Sequence, residues 1–253
     1  MIRLFSLLLG ATAFVFAANS AMAQEVSGEQ LFTEAETDRI RAEALAAILQ
    51  YPEIIEEAMA ILEERRANAA LAAVLDDPNT PILGNPDAAV TLIEFFDYNC
   101  GYCRRAAEPL RDLLKEDGEL RVVMIETPIL SEDSLFAAQA SLATFMAGAD
   151  YGEVHFDTMI GSGRVSAEGI IEAALAYEGV DEDDLRAYMD GDSVMDTITR
   201  NYAAMQAMDI SGTPAFIVAG SDESGALSDI SMFPGAVPVE ELRAAIERIR
   251  VGS

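Results

Sequence analysis

The 253-residue sequence has no tryptophan, one histidine and two cysteines, and basic residues are scarce. Lys and Arg number 16 against 44 Asp and Glu, which gives a formal net charge of −28. Proteins that bind nucleic acid need a basic face to displace counterions from phosphates, so this charge excludes nucleic acid as a partner. Two cysteines cannot form a multi-disulfide scaffold or supply all the ligands of a thiolate zinc site. Hydrophobic residues make up 51% of the chain, which is typical of a globular protein.

Residues 1–23 have the pattern of a secretory signal peptide. Arg3 is their only charged residue, and the apolar stretch 4–18 follows it. Ala21-Met22-Ala23 then matches the small-x-small pattern of a cleavage site. An uncleaved membrane anchor is the alternative, which the short apolar stretch disfavours. We therefore expect an exported protein that begins at Gln24, with a periplasmic location if the source is a Gram-negative bacterium.

Residues 33–75 are rich in Ala and Glu and have a helical hydrophobic period. Thr37 is predicted to cap a first helix, and Pro52 to begin a second, at a position where its missing N–H is tolerated. A helical arm at residues 24–78 is thus predicted to precede a domain at residues 79–253. The apolar stripe of the arm is buried either against the domain or against copies of the arm, and the proline-bounded linker favours self-association.

The hydrophobic pattern changes to that of an α/β domain after the arm. The predicted elements, in chain order, are a strand at 89–96, a helix at 100–116, a strand at 120–125, several helices across 132–209, a strand at 215–218, a strand at 230–233 after a polar connection, and a helix at 239–249. A helix joins the first two strands, so these should be parallel. The last two strands should form an antiparallel hairpin. The predicted fold class is α/β, with the helices of 132–209 as an insertion.

The two cysteines form the motif Cys100-Gly101-Tyr102-Cys103, between the first predicted strand and its helix. This spacing in the first helical turn brings the two side chains within disulfide distance. Unpaired N–H groups and the positive end of the helix dipole stabilise a thiolate on Cys100, which makes it the reacting sulfur. Cys103 should be less exposed and resolve the mixed disulfide. A zinc site would need further ligands and a structural disulfide here would close too short a loop to stabilise, so the motif favours a redox pair without metal or cofactor.

The segment 95–103, the helical insertion and Gly212-Thr213-Pro214 together resemble the DsbA-like thiol–disulfide oxidoreductases of the thioredoxin superfamily, over about residues 80–250. The resemblance implies a thioredoxin-like fold in which Pro214 is cis and faces the cysteine pair. It also implies that the backbone of Thr213 hydrogen-bonds to a substrate strand. Glu94 occupies the place of a buried acid that relays protons to the resolving thiol; the alternative is a strand-end acid that reaches solvent.

The Gly-Tyr dipeptide and Thr213 resemble the disulfide isomerase and reductase members, and the ScsC-like or Com1-like branch, more than the strong oxidases. Strong oxidases carry Pro-His between the cysteines. Tyr102 in place of histidine removes a cation beside Cys100, so we expect a less oxidising pair. The ScsC-like branch also has an N-terminal helical arm, and trimers are known there. The resemblance thus implies client proteins with cysteines, a membrane redox partner, and a homo-oligomer formed through residues 33–75.

The expected function is an exported thiol–disulfide oxidoreductase or isomerase. Two alternatives use the same features differently: a non-catalytic copper(I) carrier that binds the ion through both thiolates, and a chaperone-like module that binds clients through the arm and the insertion. His155 is predicted to be a partly buried helix residue outside the catalytic site.

Overall fold

The computed structural model describes residues 32–161, 163–221 and 226–252. The predicted signal peptide at residues 1–23 lies outside this part of the chain. The described elements are α1 (Glu34–Gln50), α2 (Glu53–Leu75), β1 (Ile82–Gly84), β2 (Val90–Phe96), α3 (Gly101–Glu116), β3 (Leu120–Glu126), α4 (Glu132–Met146), α5 (Tyr151–Ile160), α6 (Ala167–Leu175), α7 (Glu182–Met189), α8 (Asp192–Ala207), β4 (Ala215–Ser221), β5 (Leu227–Pro234) and α9 (Val239–Gly252). The chain divides into two compact units after Glu56, within α2.

The first unit contains α1, which begins with a reciprocal cap. The Thr33 hydroxyl accepts a hydrogen bond from the Glu36 N–H at 3.3 Å, and the Glu36 carboxylate accepts one from the Thr33 N–H at 2.8 Å. The predicted cap at Thr37 is therefore wrong, since Thr33 with Glu three residues later completes a capping box one turn earlier. No residue of α1 is buried. Its exposed large apolar side chains are those of Ile40, Leu45, Ile48 and Leu49.

The second unit includes the end of α2, which contributes to the core. Leu71 and Val74 are buried in a cluster with Ile93 of β2. Just after α2, the buried Asp77 accepts hydrogen bonds from the Thr197 hydroxyl at 2.7 Å and from Nε of Arg200 at 3.0 Å, both on α8. This contact ties the predicted linker to the domain, because the charge of Asp77 is paired where water is excluded. The boundary between residues 78 and 79 stays a prediction.

A five-stranded sheet with the order β1-β3-β2-β4-β5 forms the centre of the second unit. The prediction that the strands on either side of α3 are parallel is confirmed, and so is the antiparallel β4–β5 hairpin. The hairpin strands are longer than predicted, extending to Ser221 and starting at Leu227, with residues 222–225 outside the described part. Sequence reasoning missed β1, a three-residue edge strand antiparallel to β3.

Two layers of helices cover the sheet. On one face the side chains of β2 and β3 pack with Leu110 of α3, Ile246 of α9 and the helices of the insertion. On the other face they pack with Leu71 of α2 and Met205 of α8. All seven residues of β2 are buried, so its carboxyl end has a fixed position at one edge of the sheet. The predicted α/β fold with a helical insertion is confirmed, the insertion being α4 to α8.

Candidate active site

The cysteine motif lies where β2 ends and α3 begins. Asp97, in the connection between them, accepts hydrogen bonds from neighbouring backbone N–H groups. The Asp97 carbonyl accepts a hydrogen bond from the Cys100 N–H at 3.0 Å. Its buried carboxylate accepts bonds from the backbone N–H groups of Asn99 at 2.7 Å and Leu130 at 3.0 Å. The connection is thus closed on itself and attached to the loop after β3, and Cys100 becomes the N-cap residue of α3.

Cys100 and Cys103 are free thiols, 6% and 0% exposed respectively. The Cys100 sulfur accepts a hydrogen bond from the Cys103 N–H at 3.4 Å, and lies 3.2 Å from the carbonyl oxygen of Thr213. Hydrogen bonds from the thiol and the backbone N–H of Cys103 outweigh burial and lower the pKa of Cys100 to about 5. Cys100 is therefore a thiolate at neutral pH and can act as a nucleophile.

Cys103 has the opposite ionisation. Burial, then the hydrogen bond to Cys100 and the nearby Glu94 carboxylate, raise the pKa of Cys103 well above its usual range. Its sulfur therefore remains protonated while the Cys100 thiolate is present, and it can attack only after a base removes its proton. In the reduced pair, Cys100 is therefore the reactive thiolate and Cys103 is an unreactive thiol.

Glu94 lies on β2, on the sheet face that α3 covers, and its carboxyl is buried at 2% exposure. Its Oε1 atom has no hydrogen-bond partner among the described residues. Burial, and then the negative charge of Cys100, raise the pKa of Glu94 to about 8. The interpretation of Glu94 as a strand-end acid that reaches solvent is thus incorrect. A carboxyl with this pKa can give up and take back a proton near neutral pH.

The segment that carries Thr213 and Pro214 approaches the cysteines from β4. The peptide bond between Thr213 and Pro214 is cis, and Pro214 is buried. The Thr213 carbonyl contacts the Cys100 sulfur although 113 positions separate the two residues. The structure therefore brings Thr213 and Pro214 to the same place as Cys100, Cys103 and Glu94.

An apolar groove of about 340 Å³ lies beside Tyr102 on the surface. Tyr102 is 59% exposed, and the Arg105 guanidinium lies 4.2 Å from the centre of its ring. This cation–π contact holds the ring at the edge of the groove. The groove has the size and polarity to accept an apolar side chain from a polypeptide bound at the cysteines. Its apolar lining includes Ala106, Pro109, Leu110, Phe216, Val237 and Leu242.

Sequence reasoning did not single out Tyr98 and Asn99, which the structure places at the centre of a polar network. The Tyr98 hydroxyl lies 2.7 Å from the Ser141 hydroxyl and 3.0 Å from Nδ1 of His155. The Asn99 amide pairs with the backbone of Val165. A usable signal was present, since three residues with polar groups directly follow a strand that is apolar apart from Thr91 and Glu94. The prediction that His155 is only partly buried is wrong, because it is 1% exposed.

A family model described as the DSBA-like thioredoxin domain matches residues 91–247. The chain belongs to this family. Its members are generally thiol–disulfide oxidoreductases, and the Cys100–Cys103 pair is the redox pair of this DsbA-like chain. The matched segment begins in β2 and ends in α9, so it contains the cysteine motif, the insertion and Thr213-Pro214.

Several solved structures have a similar fold. A thioredoxin-like oxidoreductase from Silicibacter pomeroyi DSS-3 is 37% identical, with a TM-score of 0.62, over 71% of this chain and 97% of that one. A linker-deletion mutant of ScsC from Proteus mirabilis is 24% identical, with a TM-score of 0.60, over 89% and 100% of the two chains. A periplasmic thioredoxin-like protein from Salmonella enterica serovar Typhimurium is 27% identical, with a TM-score of 0.57, over 72% and 96%.

The first curated relatives are larger proteins. The Na(+)/H(+) antiporter NhaA of Herminiimonas arsenicoxydans is 31% identical over 157 residues, which are 60% of this chain and 25% of the antiporter. The chain thus spans about a quarter of the length of these relatives. Within the part of the chain that the structure describes, no helix has both the length and the apolar character needed to cross a membrane.

The ionisation of Cys100 can be tested directly. The rate at which iodoacetamide alkylates the reduced protein should rise with a midpoint near pH 5, since the pKa of Cys100 is lowered to about 5. Because the pKa of Cys100 is lower in the folded than in the unfolded protein, its ionisation stabilises the reduced fold. This stabilisation is fully present above the ordinary thiol pKa and is lost as the pH falls through about 5. Mass spectrometry should locate the label on Cys100. A midpoint near 8, or labelling of Cys103 first, would contradict the assignment.

Proposed function

We propose that this protein is an exported thiol–disulfide oxidoreductase and isomerase, which exchanges disulfides with client proteins through Cys100-Gly101-Tyr102-Cys103. The observation that carries the proposal is the unequal pair at the start of α3. The pKa of Cys100 is lowered to about 5 and that of Cys103 is raised. This difference gives one sulfur that attacks and is attacked, and a second that acts only when a mixed disulfide has formed.

In the oxidised form, a client thiolate attacks the Cys100 sulfur and the Cys100–Cys103 bond breaks. Its electron pair goes to Cys103, which takes up a proton, and a mixed disulfide remains on Cys100. A second client thiolate then attacks the client sulfur of that bond and releases Cys100 as a thiolate. The client gains one disulfide and the cysteine pair is reduced by two electrons.

In the reduced form, the Cys100 thiolate attacks a client disulfide and releases one client thiolate. The client then rearranges and displaces Cys100, which is isomerisation without net oxidation. In the alternative outcome, Cys103 attacks the Cys100 sulfur, the client leaves reduced, and the pair ends as a disulfide. Glu94 supports this second outcome, since its buried carboxyl lies near Cys103 and, when ionised, can accept the Cys103 proton.

The surroundings of Cys100 favour an extended client segment. Thr213 presents its backbone beside the sulfur, where it can pair with the client chain next to the reacting cysteine. The groove beside Tyr102 can hold an apolar client side chain at the same time. Clients are therefore proteins with accessible cysteines, and a membrane redox partner would restore the cysteine pair to its working state.

The location and the assembly belong to the same proposal. The sequence pattern of residues 1–23 supports export to the periplasm, where disulfides form and persist. The exposed apolar side chains of α1 support a homo-oligomer formed through residues 33–75. Several cysteine pairs in one assembly would bind a misfolded client at more than one point, which favours isomerisation.

The two cysteines have different parts in this scheme, and their replacement should show it. Cys100→Ala should reduce the rate of disulfide exchange with a scrambled client to the uncatalysed rate, because the nucleophile is gone. Cys103→Ala should accumulate a mixed disulfide with the client, visible by non-reducing electrophoresis. Catalysed exchange by Cys100→Ala would overturn the proposal. Tight copper(I) binding by the wild type without any exchange would favour the carrier alternative.

Replacement of Glu94 separates proton transfer from folding. Glu94→Gln should slow the attack of Cys103 on a preformed mixed disulfide by about tenfold or more, because Gln cannot take the proton. In the wild type this rate should rise with pH as Glu94 ionises, at a pH below about 8, because the mixed disulfide lacks the Cys100 charge that helps to raise the pKa of Glu94. The raised pKa also makes the buried carboxyl destabilising as the pH rises through about 8, so Glu94→Gln should be the more stable protein there. Glu108→Gln, on the exposed surface of α3, is the control; an equal effect in both variants would contradict the role.

Self-association of the arm can be tested by placing two charges either inside or outside the apolar stripe of α1. Leu45→Glu with Leu49→Glu places two charges in the exposed apolar stripe, where the side chains are 58% and 73% exposed. Analytical ultracentrifugation should show this variant as a monomer and the wild type as an oligomer, because self-association would have to bury the charges. Ala46→Glu with Gln50→Glu adds the same charge about 100° further around the helix, outside the apolar stripe, and should leave the oligomer intact. A monomeric wild type would refute self-association.

A further inference from the structure

The single histidine of the sequence is buried in α5 and has no place in the exchange reaction described above. Four aromatic rings surround the His155 imidazole, with centre-to-centre distances of 4.8 Å to Phe96, 5.5 Å to Tyr98, 5.7 Å to Tyr151 and 5.1 Å to Phe156. Burial lowers the pKa of His155 to about 3. The imidazole is therefore neutral, and it can make a directed hydrogen bond without bringing a charge into the core.

That hydrogen bond goes to Tyr98, two residues before Cys100. The buried Tyr98 hydroxyl lies 3.0 Å from Nδ1 of His155 on α5 and 2.7 Å from the hydroxyl of Ser141 on α4. A phenol with two partners on different helices has little freedom to move. The insertion thus holds the connection between β2 and α3 from the side.

Asn99 provides a second attachment next to the first. Its Nδ2 group donates to the Val165 carbonyl at 3.2 Å, and its Oδ1 atom accepts from the Val165 N–H at 3.1 Å. Both residues that precede Cys100 are therefore held by side-chain contacts to the insertion. Cys100 is the N-cap of α3, so the position of this connection sets the position of its sulfur relative to the first N–H groups of the helix.

We propose that His155 is a positioning residue for thiol–disulfide exchange: its hydrogen bond to Tyr98 fixes the connection between β2 and α3, so that the Cys100 sulfur stays within reach of the N-terminal N–H groups of α3. Without this bond the connection can shift and the thiolate loses stabilisation. The inference deepens the proposed function, but its test needs no client, because the Cys100 thiolate can be titrated by alkylation alone.

Two variants remove the hydrogen bond and keep the rings. Tyr98→Phe and His155→Phe should each lower the alkylation rate of Cys100 about threefold at a pH below its pKa, where the rate is proportional to the thiolate fraction. The double variant should show no further loss, since His155 acts through Tyr98. The redox equilibrium with glutathione should shift towards the disulfide by a similar factor, because the reduced form has lost thiolate stabilisation.

Two further variants separate positioning from a general loss of stability. Thr144→Val removes a buried hydroxyl that donates to the Ala140 carbonyl at 2.8 Å within α4, and should lower stability without changing the alkylation of Cys100. His155→Asn retains a hydrogen-bonding group near the position of Nδ1 and should restore most of the rate lost in His155→Phe.

The inference is overturned if Tyr98→Phe and His155→Phe keep the wild-type alkylation profile, or if Thr144→Val changes it equally. If the His155 variants do not fold, the inference is tested by the alkylation rate of Tyr98→Phe and by NMR of the wild-type imidazole. The single histidine gives one set of imidazole signals, which should differ between the reduced and oxidised proteins; identical signals would contradict the coupling. If the wild-type protein exchanges no client disulfide while all the variants show the expected alkylation rates, the result counts against the proposed function alone.

Discussion

The hydrogen bond from the Cys103 N–H to the Cys100 sulfur is the contact on which the chemistry of this protein depends. It places a sulfur at the end of a helix where backbone N–H groups have no partners within the helix, and where a negative charge is favoured. The surrounding elements keep that geometry constant. The strand β2, which precedes the helix, is fully buried, and Thr213 at the start of β4 contacts the sulfur. The insertion contacts Tyr98, between β2 and α3, through a hydrogen bond with His155.

The interior near the cysteines is kept low in charge, although the protein carries a net charge of −28. Burial raises the pKa of Glu94 to about 8 and that of Glu126 well above its usual value, and the Tyr151 hydroxyl donates a hydrogen bond to Glu126. His155 is neutral. Glu94, Glu126 and His155 therefore add little charge around the Cys100 thiolate, and hydrogen bonds from Cys103 are the main cause of its lowered pKa. Most of the acidic residues lie on the surface, where water solvates them.

The hydrophobic pattern of the sequence correctly predicted the elements that have long runs of apolar or periodic residues. The apolar run of β2, the helix after it and the parallel strand β3 are found where they were predicted, because burial on both faces leaves only one consistent arrangement. Local signals were less reliable. The strand β1 has three residues, too few for a hydrophobic period to be seen. The cap of α1 could have been found only by noting that Glu36 lies three residues after Thr33, whereas no acid lies three residues after Thr37.

The structure brings together the site residues named from the sequence, Cys100, Cys103, Glu94, Thr213 and Pro214, whereas sequence reasoning missed the contacts between Tyr98, Asn99 and the insertion. Cys100 and Cys103 could be selected because their spacing has a chemical meaning, and Thr213 was selected through the resemblance to a known family. Tyr98 and His155 are separated by 57 positions, and nothing in the residues between them indicates that α5 returns to the start of α3. Contacts between distant segments depend on the packing of the insertion, which the hydrophobic period alone does not determine.

The neutral state of His155 has a consequence for the acidity range over which the protein works. With its only imidazole titrating near 3, the groups at the cysteine pair that change charge close to neutrality are the Cys100 thiol near 5 and the Glu94 carboxyl near 8. Midway between these two values most Cys100 is thiolate and most Glu94 is protonated, and a small change in pH alters neither state much. The protein therefore keeps an ionised nucleophile beside an uncharged carboxyl in the middle of that interval, and a modest change in external acidity there leaves the reactive state of the pair unchanged.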